Sequence, residues 1–186
     1  VGEVVVSGGV RRSAMISLSN LSDGRMRHAK SGQWWETTPQ MALANNSVCY
    51  TDKPDGETFL REWTSLVESK SGERGIFNRT SAKEQAKKFG RRDADHEFGT
   101  NPCSEIILRP YQFCNLTEVV IREKDKFDDL KRKVMLATIL GTAQATLTKF
   151  PYLRKVWKTN TEEERLLGVS LTGIMDNELT SGKKNG

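Results

Sequence analysis

Cys114-Asn115-Leu116-Thr117-Glu118-Val119-Val120-Ile121 reads as a β-strand, because its β-branched residues suit a pleated surface. Asp125 then stands where a helix cap is wanted. Phe127, Leu130, Val134, Ala137, Leu140, Gly141 and Leu147 follow at a spacing that gathers them on one face of a helix reaching about residue 149. Pro151 ends that helix. A short helical piece over residues 162–167 and a strand over residues 169–175 complete a strand, helix, strand order. Such alternation predicts an α/β architecture with parallel strands.

The same rhythm runs upstream. Residues 57–69 place Phe59, Leu60, Trp63, Leu66 and Val67 at amphipathic-helix spacing, residues 75–78 read as a short strand, and residues 81–89 as a short helix. Arg91-Arg92 with Asp93 and Asp95 reads as a solvated connection. Nearer the start, residues 4–6 and 10–18 read as strands flanking a Gly-Gly turn, and residues 19–33 as a polar loop. Trp34-Trp35 and Trp63 are expected in the core, the usual place of large aromatics beside helices.

Between the two halves lies Asn101-Pro102-Cys103-Ser104-Glu105. In an extended chain successive side chains alternate, so Asn101, Cys103 and Glu105 would share one side while Pro102 and Ser104 face away. Pro102 supports that reading by disfavouring helix in the residue before it. The set offers a thiol able to exchange a hydrogen atom, a carboxylate base, and a carboxamide that both donates and accepts. Taken alone, a cysteine beside a glutamate is more often a buried structural thiol. A zinc site is the other structural use of Cys103 and Cys114, but zinc wants four close ligands, usually in short Cys-x-x-Cys pairs. His28 and His96 lack partners at ligand spacing and read as surface or capping residues, and no metal is expected. Cys49 reads as a small buried hydrophobe.

Ser7-Gly8-Gly9-Val10-Arg11-Arg12 is the second candidate site. Its glycines permit positive φ and close backbone approach, and its arginines suit phosphate or base edges, although a bare pattern of this kind is more often a solvated hairpin. It lacks the Lys-Ser/Thr that closes a P-loop. Composition narrows the field less. The 186 residues are 36% hydrophobic and 28% charged, enough for an ordinary core. The net charge of +5 is scattered rather than blocked, so it selects no nucleic acid. No run approaches the roughly 20 apolar residues of a membrane helix, and no signal sequence opens the chain, so no membrane partner is expected. Three cysteines at irregular spacing point to a reducing, cytoplasmic compartment, where the Asn-x-Ser/Thr matches at Asn20, Asn45, Asn78 and Asn115 receive no glycan. A cysteine-based redox or metal-binding domain and a basic nucleic-acid module stay open on these grounds.

Glu97-Phe98-Gly99-Thr100-Asn101-Pro102-Cys103-Ser104-Glu105-Ile106-Ile107-Leu108, with Phe113-Cys114-Asn115-Leu116-Thr117-Glu118-Val119-Val120, resembles the active-site finger of the adenosylcobalamin-dependent (class II) ribonucleotide reductases, down to the eleven-residue step from Cys103 to Cys114. Likeness continues in Ser7-Gly8-Gly9-Val10-Arg11-Arg12-Ser13-Ala14, Ala44-Asn45-Asn46-Ser47-Val48, Ser71-Gly72-Glu73-Arg74-Gly75-Ile76-Phe77-Asn78 and Leu166-Leu167-Gly168-Val169-Ser170-Leu171-Thr172-Gly173. It is most similar to the branch that reduces ribonucleoside triphosphates as a single chain, with the diphosphate-reducing branch as the alternative.

The resemblance implies a fold and a chemistry. The fold is a ten-stranded α/β barrel of the ribonucleotide reductase and glycyl radical enzyme type around a central finger loop near residues 99–114. Residues 1–186 would form an internal, incomplete part of it, an expectation suggested also by an opening in mid-strand without methionine. Cys103 would carry a thiyl radical, kept protonated by burial. Glu105 would act as general base on the ribose 3' hydroxyl, and Asn101 would orient the ribose hydroxyls. Cys114 would be half of a redox pair whose partner cysteine lies upstream, reopened by a thioredoxin-type reductant. Residues 7–12 would form the specificity loop linking a deoxynucleotide or ATP effector to the substrate base. Adenosylcobalamin would be the cofactor and a ribonucleotide the substrate.

Overall fold

The computed structural model describes residues 2–9 and 13–182. In chain order its strands and α-helices are β1 (Ile16–Ser19), α1 (Gly24–Arg27), α2 (Trp34–Thr37), β2 (Asn45–Tyr50), α3 (Gly56–Ser69), β3 (Gly75–Asn78), α4 (Arg79–Phe89), β4 (Gly99–Thr100), β5 (Ile107–Leu108), β6 (Asn115–Val120), α5 (Phe127–Ala145), α6 (Lys155–Glu164) and β7 (Leu167–Thr172). They fall into two compact units, Val1–Pro110 and Tyr111–Gly186.

The first unit is built on a parallel sheet in the order β1-β2-β3, with Ile16 opposite Asn45 and Val48 opposite Ile76. Because β2 is central, five of its six residues are buried, as expected of a parallel strand covered on both faces. Cys49, Phe77 and Phe98 form the core, with Leu18, Ala82, Ala86 and Ile107 packed against them. Burial pushes the Cys49 thiol above its usual pKa, which suits the expected small buried hydrophobe.

Both long helices of this unit carry legible ends. Asp55 accepts from the Thr58 N–H at 2.8 Å to start α3, and Asn78 accepts from the Ser81 N–H at 3.0 Å to start α4. Gly90, at φ 60°, closes α4 by donating to the Ala86 carbonyl. The inner face of α3 is polar. Glu62, 2% exposed, receives Arg74 through both Nε (3.0 Å) and Nη2 (2.8 Å), and Arg27 on its other oxygen. Arg74 continues to the Ser19 hydroxyl at 2.7 Å, so helix, sheet and connection are tied by one ionic cluster. Glu73 beside it accepts from Lys30 at 2.9 Å and from the Asn46 N–H at 3.1 Å.

The second unit pairs β6 and β7 in parallel, from Asn115 opposite Leu167 to Val120 opposite Thr172. Helix α5 crosses between them and packs on both through Ala137, Gly141 and Ala145. A Cβ at Gly141 would overlap the Leu167 side chain and stand 3.3 Å from Thr117. Asn177, 2% exposed, donates from Nδ2 to the carbonyls of Arg122 (2.9 Å) and Asp125 (2.8 Å), joining the loop before α5 to the turn after β7.

The α/β class and the parallel pairing are as the pattern predicts, and among the described residues no sheet closes into a barrel. Several local expectations are corrected. Residues 2–6 form a 3-10 helix rather than a strand. The strand expected over 10–18 is seen only from Ile16, and residues 10–12 lie outside the described residues. The loop expected over 19–33 contains α1, started by the Asp23 side chain accepting from the Met26 N–H. Asp125 does not cap α5; it accepts from the Arg122 N–H at 2.9 Å and pairs with Lys133, while Asp129 accepts from the Lys126 N–H. That helix stops at Ala145, where the Thr146 hydroxyl takes the Ala143 carbonyl, well before Pro151. Only part of its expected face is buried, since Phe127, Leu140 and Leu147 are exposed. The next helix is α6, earlier than the expected 162–167, and it ends at Arg165 in the left-handed region so that β7 starts at Leu167. Trp35 and Trp63 are exposed rather than core; for Trp63 the reason is that the buried side of α3 is taken by Glu62 and Ser65.

Candidate functional site

The motif around Cys103 is a hairpin tip, not an extended segment. β4 and β5 are antiparallel, with Gly99 opposite Leu108 and Thr100 opposite Ile107, and residues 101–106 turn between them. The Asn101 N–H donates to the Ile106 carbonyl at 3.3 Å, and the Ile106 N–H donates back to the Asn101 side-chain oxygen at 3.0 Å. The Ser104 N–H donates to the Asn101 carbonyl at 3.0 Å, and Ser104 sits at φ 66°. A backbone N–H can only donate, so the Asn101 Oδ1 is committed to the turn and its NH₂ is the group's remaining donor.

The turn brings Asn101, Cys103 and Glu105 onto one six-residue tip but overturns two expectations. Side chains do not alternate there as in a strand. Cys103 is exposed rather than buried, as are Ser104 and Glu105, because a two-stranded hairpin lifts its tip off the core that buries its base.

That base is held firmly. Phe98 is fully buried. Arg79 donates from Nε to the Phe98 carbonyl at 2.7 Å and pairs with Glu97 at 2.9 Å. A hydrogen bond from Lys83 holds the Glu97 carboxyl below its usual range, and Arg79 adds to the effect. Arg92 donates to the Ile107 carbonyl at 2.9 Å and lies 5.0 Å over the Phe98 ring. It is thus a clamp on the hairpin and not part of a solvated connection. His96 contacts Arg109 at 3.1 Å, with Asp93 at 3.6 Å, and His28 sits at the C-cap of α1. Sequence reasoning missed Arg79 and Arg92 as supports, and no local pattern would have found them, since each reaches its partner across a chain reversal. A cavity of about 490 Å³ adjoins the hairpin, lined by Ser104 and Ile107 together with Asn78, Ala82, Phe89 and Arg91.

Cys114 belongs to the second unit, just before β6. It is half-buried, with its sulfur 3.6 Å from the Asn115 carbonyl oxygen. Its flank is fixed by an aromatic group that the sequence did not announce: Phe113 lies 4.7 Å from Trp157 and 5.1 Å from Phe150. None of the three cysteines is joined in a disulfide. Of the second candidate site, Ser7, Gly8 and Gly9 form a turn directly after a 3-10 helix, with Gly8 at φ 77°, so no strand precedes it. Arg11 and Arg12 lie outside the described residues. Among the described residues no three or more His, Cys, Asp or Glu gather as a metal site, and no helix is long and apolar enough to cross a membrane.

No family model matches the chain, and no solved structure matches it significantly. Curated relatives do. The adenosylcobalamin-dependent ribonucleoside-triphosphate reductase of Lacticaseibacillus paracasei is 32% identical over 185 residues, which is 95% of this chain and 23% of that protein. The enzyme of the same name from Lactobacillus leichmannii is 32% identical over 194 residues, 97% of this chain and 24% of the relative. That from Levilactobacillus brevis is 27% identical over 181 residues. The chain therefore spans 23 to 24% of the length of these relatives.

Proposed function

We propose that this chain, similar over 95% of its length to one segment of the adenosylcobalamin-dependent ribonucleoside-triphosphate reductases, is the radical-bearing segment of such a reductase. The observation that carries the reading is the hairpin tip of residues 101–106, which gathers a thiol, a carboxylate and a carboxamide on a clamped base.

The tip suits the chemistry. A ribose 2' hydroxyl is a poor leaving group on an unactivated carbon, and removing the 3' hydrogen first makes its loss easier. Cys103 performs that removal as a thiyl radical, a step open to sulfur because S–H and activated C–H bonds are close in strength. The exposed thiol fits a radical source that approaches from outside the hairpin. When bound, adenosylcobalamin supplies the radical by cleavage of its cobalt–carbon bond. Glu105 takes the 3' hydroxyl proton while the 2' hydroxyl, protonated by a thiol of the redox pair, leaves as water, and the Cys103 S–H finally returns its hydrogen to the 3' carbon. Asn101 donates from its NH₂ to a ribose hydroxyl without adding a second charge beside Glu105. Cys114 and a cysteine outside this chain supply the two electrons as they join in a disulfide, which a thioredoxin-type dithiol reopens.

The remaining expectations belong to the same reading. The parallel sheets are parts of a ten-stranded α/β barrel that closes over the tip and keeps water from the radical. Residues 7–12 form the specificity loop, with Arg11 and Arg12 reading a deoxynucleotide or ATP effector. The relatives' names favour ribonucleoside triphosphates over diphosphates, and dithiol turnover fits a reducing cytoplasm. The test is Cys103→Ser in a full-length reductase carrying this segment: adenosylcobalamin-dependent reduction of ribonucleotides should vanish, and turnover near the parent rate would end the reading.

A further inference from the structure

The finger tip is tied to the sheet by a residue that the chemistry above does not use. Asn45, the first residue of β2, donates from Nδ2 to the Pro102 carbonyl at 2.8 Å. Its Oδ1 accepts from the Ser47 hydroxyl at 2.8 Å. A carbonyl only accepts, so these two partners settle which way the carboxamide points. Ser47 is 3% exposed, and its hydroxyl fits because position 75 is glycine: a Cβ there would stand 2.7 Å from Oγ. Asn45 itself is fixed on the central strand, donating its backbone N–H to the Met15 carbonyl at 2.9 Å. The bonds among Asn101, Ser104 and Ile106 hold the tip to itself. Phe98, Arg79 and Arg92 hold only its base. The Pro102 carbonyl, by contrast, belongs to the peptide unit that leads into Cys103, so its direction sets where the Cys103 side chain begins.

We propose that Asn45, oriented by Ser47, is the positioning residue that aims the Cys103 thiol. The proposal rests on the reading of Cys103 as the radical carrier. A reacting hydrogen atom moves only when donor and acceptor carbon are aligned, so a tip free to swing loses rate without losing nucleotide affinity.

The experiment uses a full-length reductase carrying this segment, with Cys103→Ser as the reference. Asn45→Ala should lower kcat about tenfold or more with little change in KM. Ser47→Ala, which leaves the amide but removes what orients it, should lower kcat less. Alkylation of Cys103 by iodoacetamide, followed by mass spectrometry without nucleotide or cofactor, should quicken in both. Asn45→Asp supplies the test that a merely structural role would fail. As a carboxylate it faces the Pro102 carbonyl and repels it; once protonated it donates again. Its rate relative to the parent should therefore rise as the pH falls toward the ordinary carboxyl range near about 4. An unchanged kcat in Asn45→Ala and Ser47→Ala, with Cys103→Ser inactive, would refute the positioning role and leave the radical reading intact. A low rate in Asn45→Asp that stays flat with pH would refute it too. Activity in Cys103→Ser would remove the radical reading and this proposal together.

Discussion

The side-chain oxygen of Asn101 accepts the Ile106 N–H at 3.0 Å across the mouth of the finger hairpin. One carboxamide thus closes the turn with its oxygen and keeps its NH₂ as a donor, and two substitutions separate these duties. Asn101→Asp keeps the acceptor and should leave the melting temperature near the parent value. It should still lose most of its activity, because it replaces the donor with a second carboxylate beside Glu105. Asn101→Ala loses both and should also cost about 1 kcal/mol of stability, the usual net worth of such a bond. Equal melting temperatures for the two variants would remove Asn101 from the turn.

Cys103 and Cys114 should fail differently in a full-length reductase carrying this segment. Cys103→Ser should abolish both nucleotide reduction and thiol-dependent cleavage of the cobalt–carbon bond. Cys114→Ser should still permit cleavage while losing multiple turnover with a thioredoxin system, as its proposed role of carrying electrons rather than the radical requires. Stopped-flow spectroscopy of the cofactor reads the first property and product accumulation the second. Loss of cleavage in Cys114→Ser would place that thiol in the radical step.

Ser104 holds φ 66°, a conformation that costs a residue with a Cβ about 1–2 kcal/mol. Ser104→Gly should keep the tip geometry and the activity, and Ser104→Val should lose both, since a β-branched side chain tolerates the left-handed region worst. Denaturant unfolding and activity together check this. A Val variant as stable and active as the parent would show that the turn relaxes without harm.

What was legible in the chain follows from the range of each interaction. The helix over Gly56–Ser69 is legible from the spacing of its apolar residues and the strand Asn115–Val120 from its β-branched content, both local signals. The motif residues of the tip were found by likeness, but their shape was not. Pro102 reads as extended, whereas the reversal comes from Asn101 bonding forward to Ile106 and from Ser104 turning left-handed, neither of which has a mark in the sequence. The face of α3 that meets the sheet was misjudged for a related reason. Phe59, Leu60, Trp63 and Val67 form the apolar stripe yet are exposed, while Glu62 is buried because arginines 35 residues before it and 12 after it neutralise its charge.

Glu62 and Arg74 test that cluster directly. Each is 2% exposed, so removing one charge leaves the other buried without its counter-ion. Glu62→Gln should therefore destabilise the chain by about 3–5 kcal/mol, far above the cost of an exposed pair. The exposed pair of Arg61 and Glu57 is the control, and Glu57→Gln should cost less than about 1 kcal/mol. Urea denaturation of the variants measures both. Similar losses would mean that the buried cluster contributes no more than a surface contact.

The buried thiol of Cys49 makes stability depend on alkaline pH. Burial raises its pKa above the reference value of 9.0, with Arg79 opposing and Glu97 assisting. The folded form therefore prefers the protonated thiol. Its contribution is fully present below the unfolded pKa and fades as the pH rises past about 9 toward the folded pKa, because the unfolded chain ionises first. Tyr50, 3% exposed on the same strand, is raised by burial and by Glu62 and adds the same sign at higher pH. The melting temperature should fall between about pH 8.5 and about pH 10, less steeply in Cys49→Ala than in the parent. In the same range a thiol reagent should modify exposed Cys103 long before Cys49. A slope unchanged by Cys49→Ala, or labelling of Cys49 as fast as Cys103, would show that this strand is not the buried centre of the sheet.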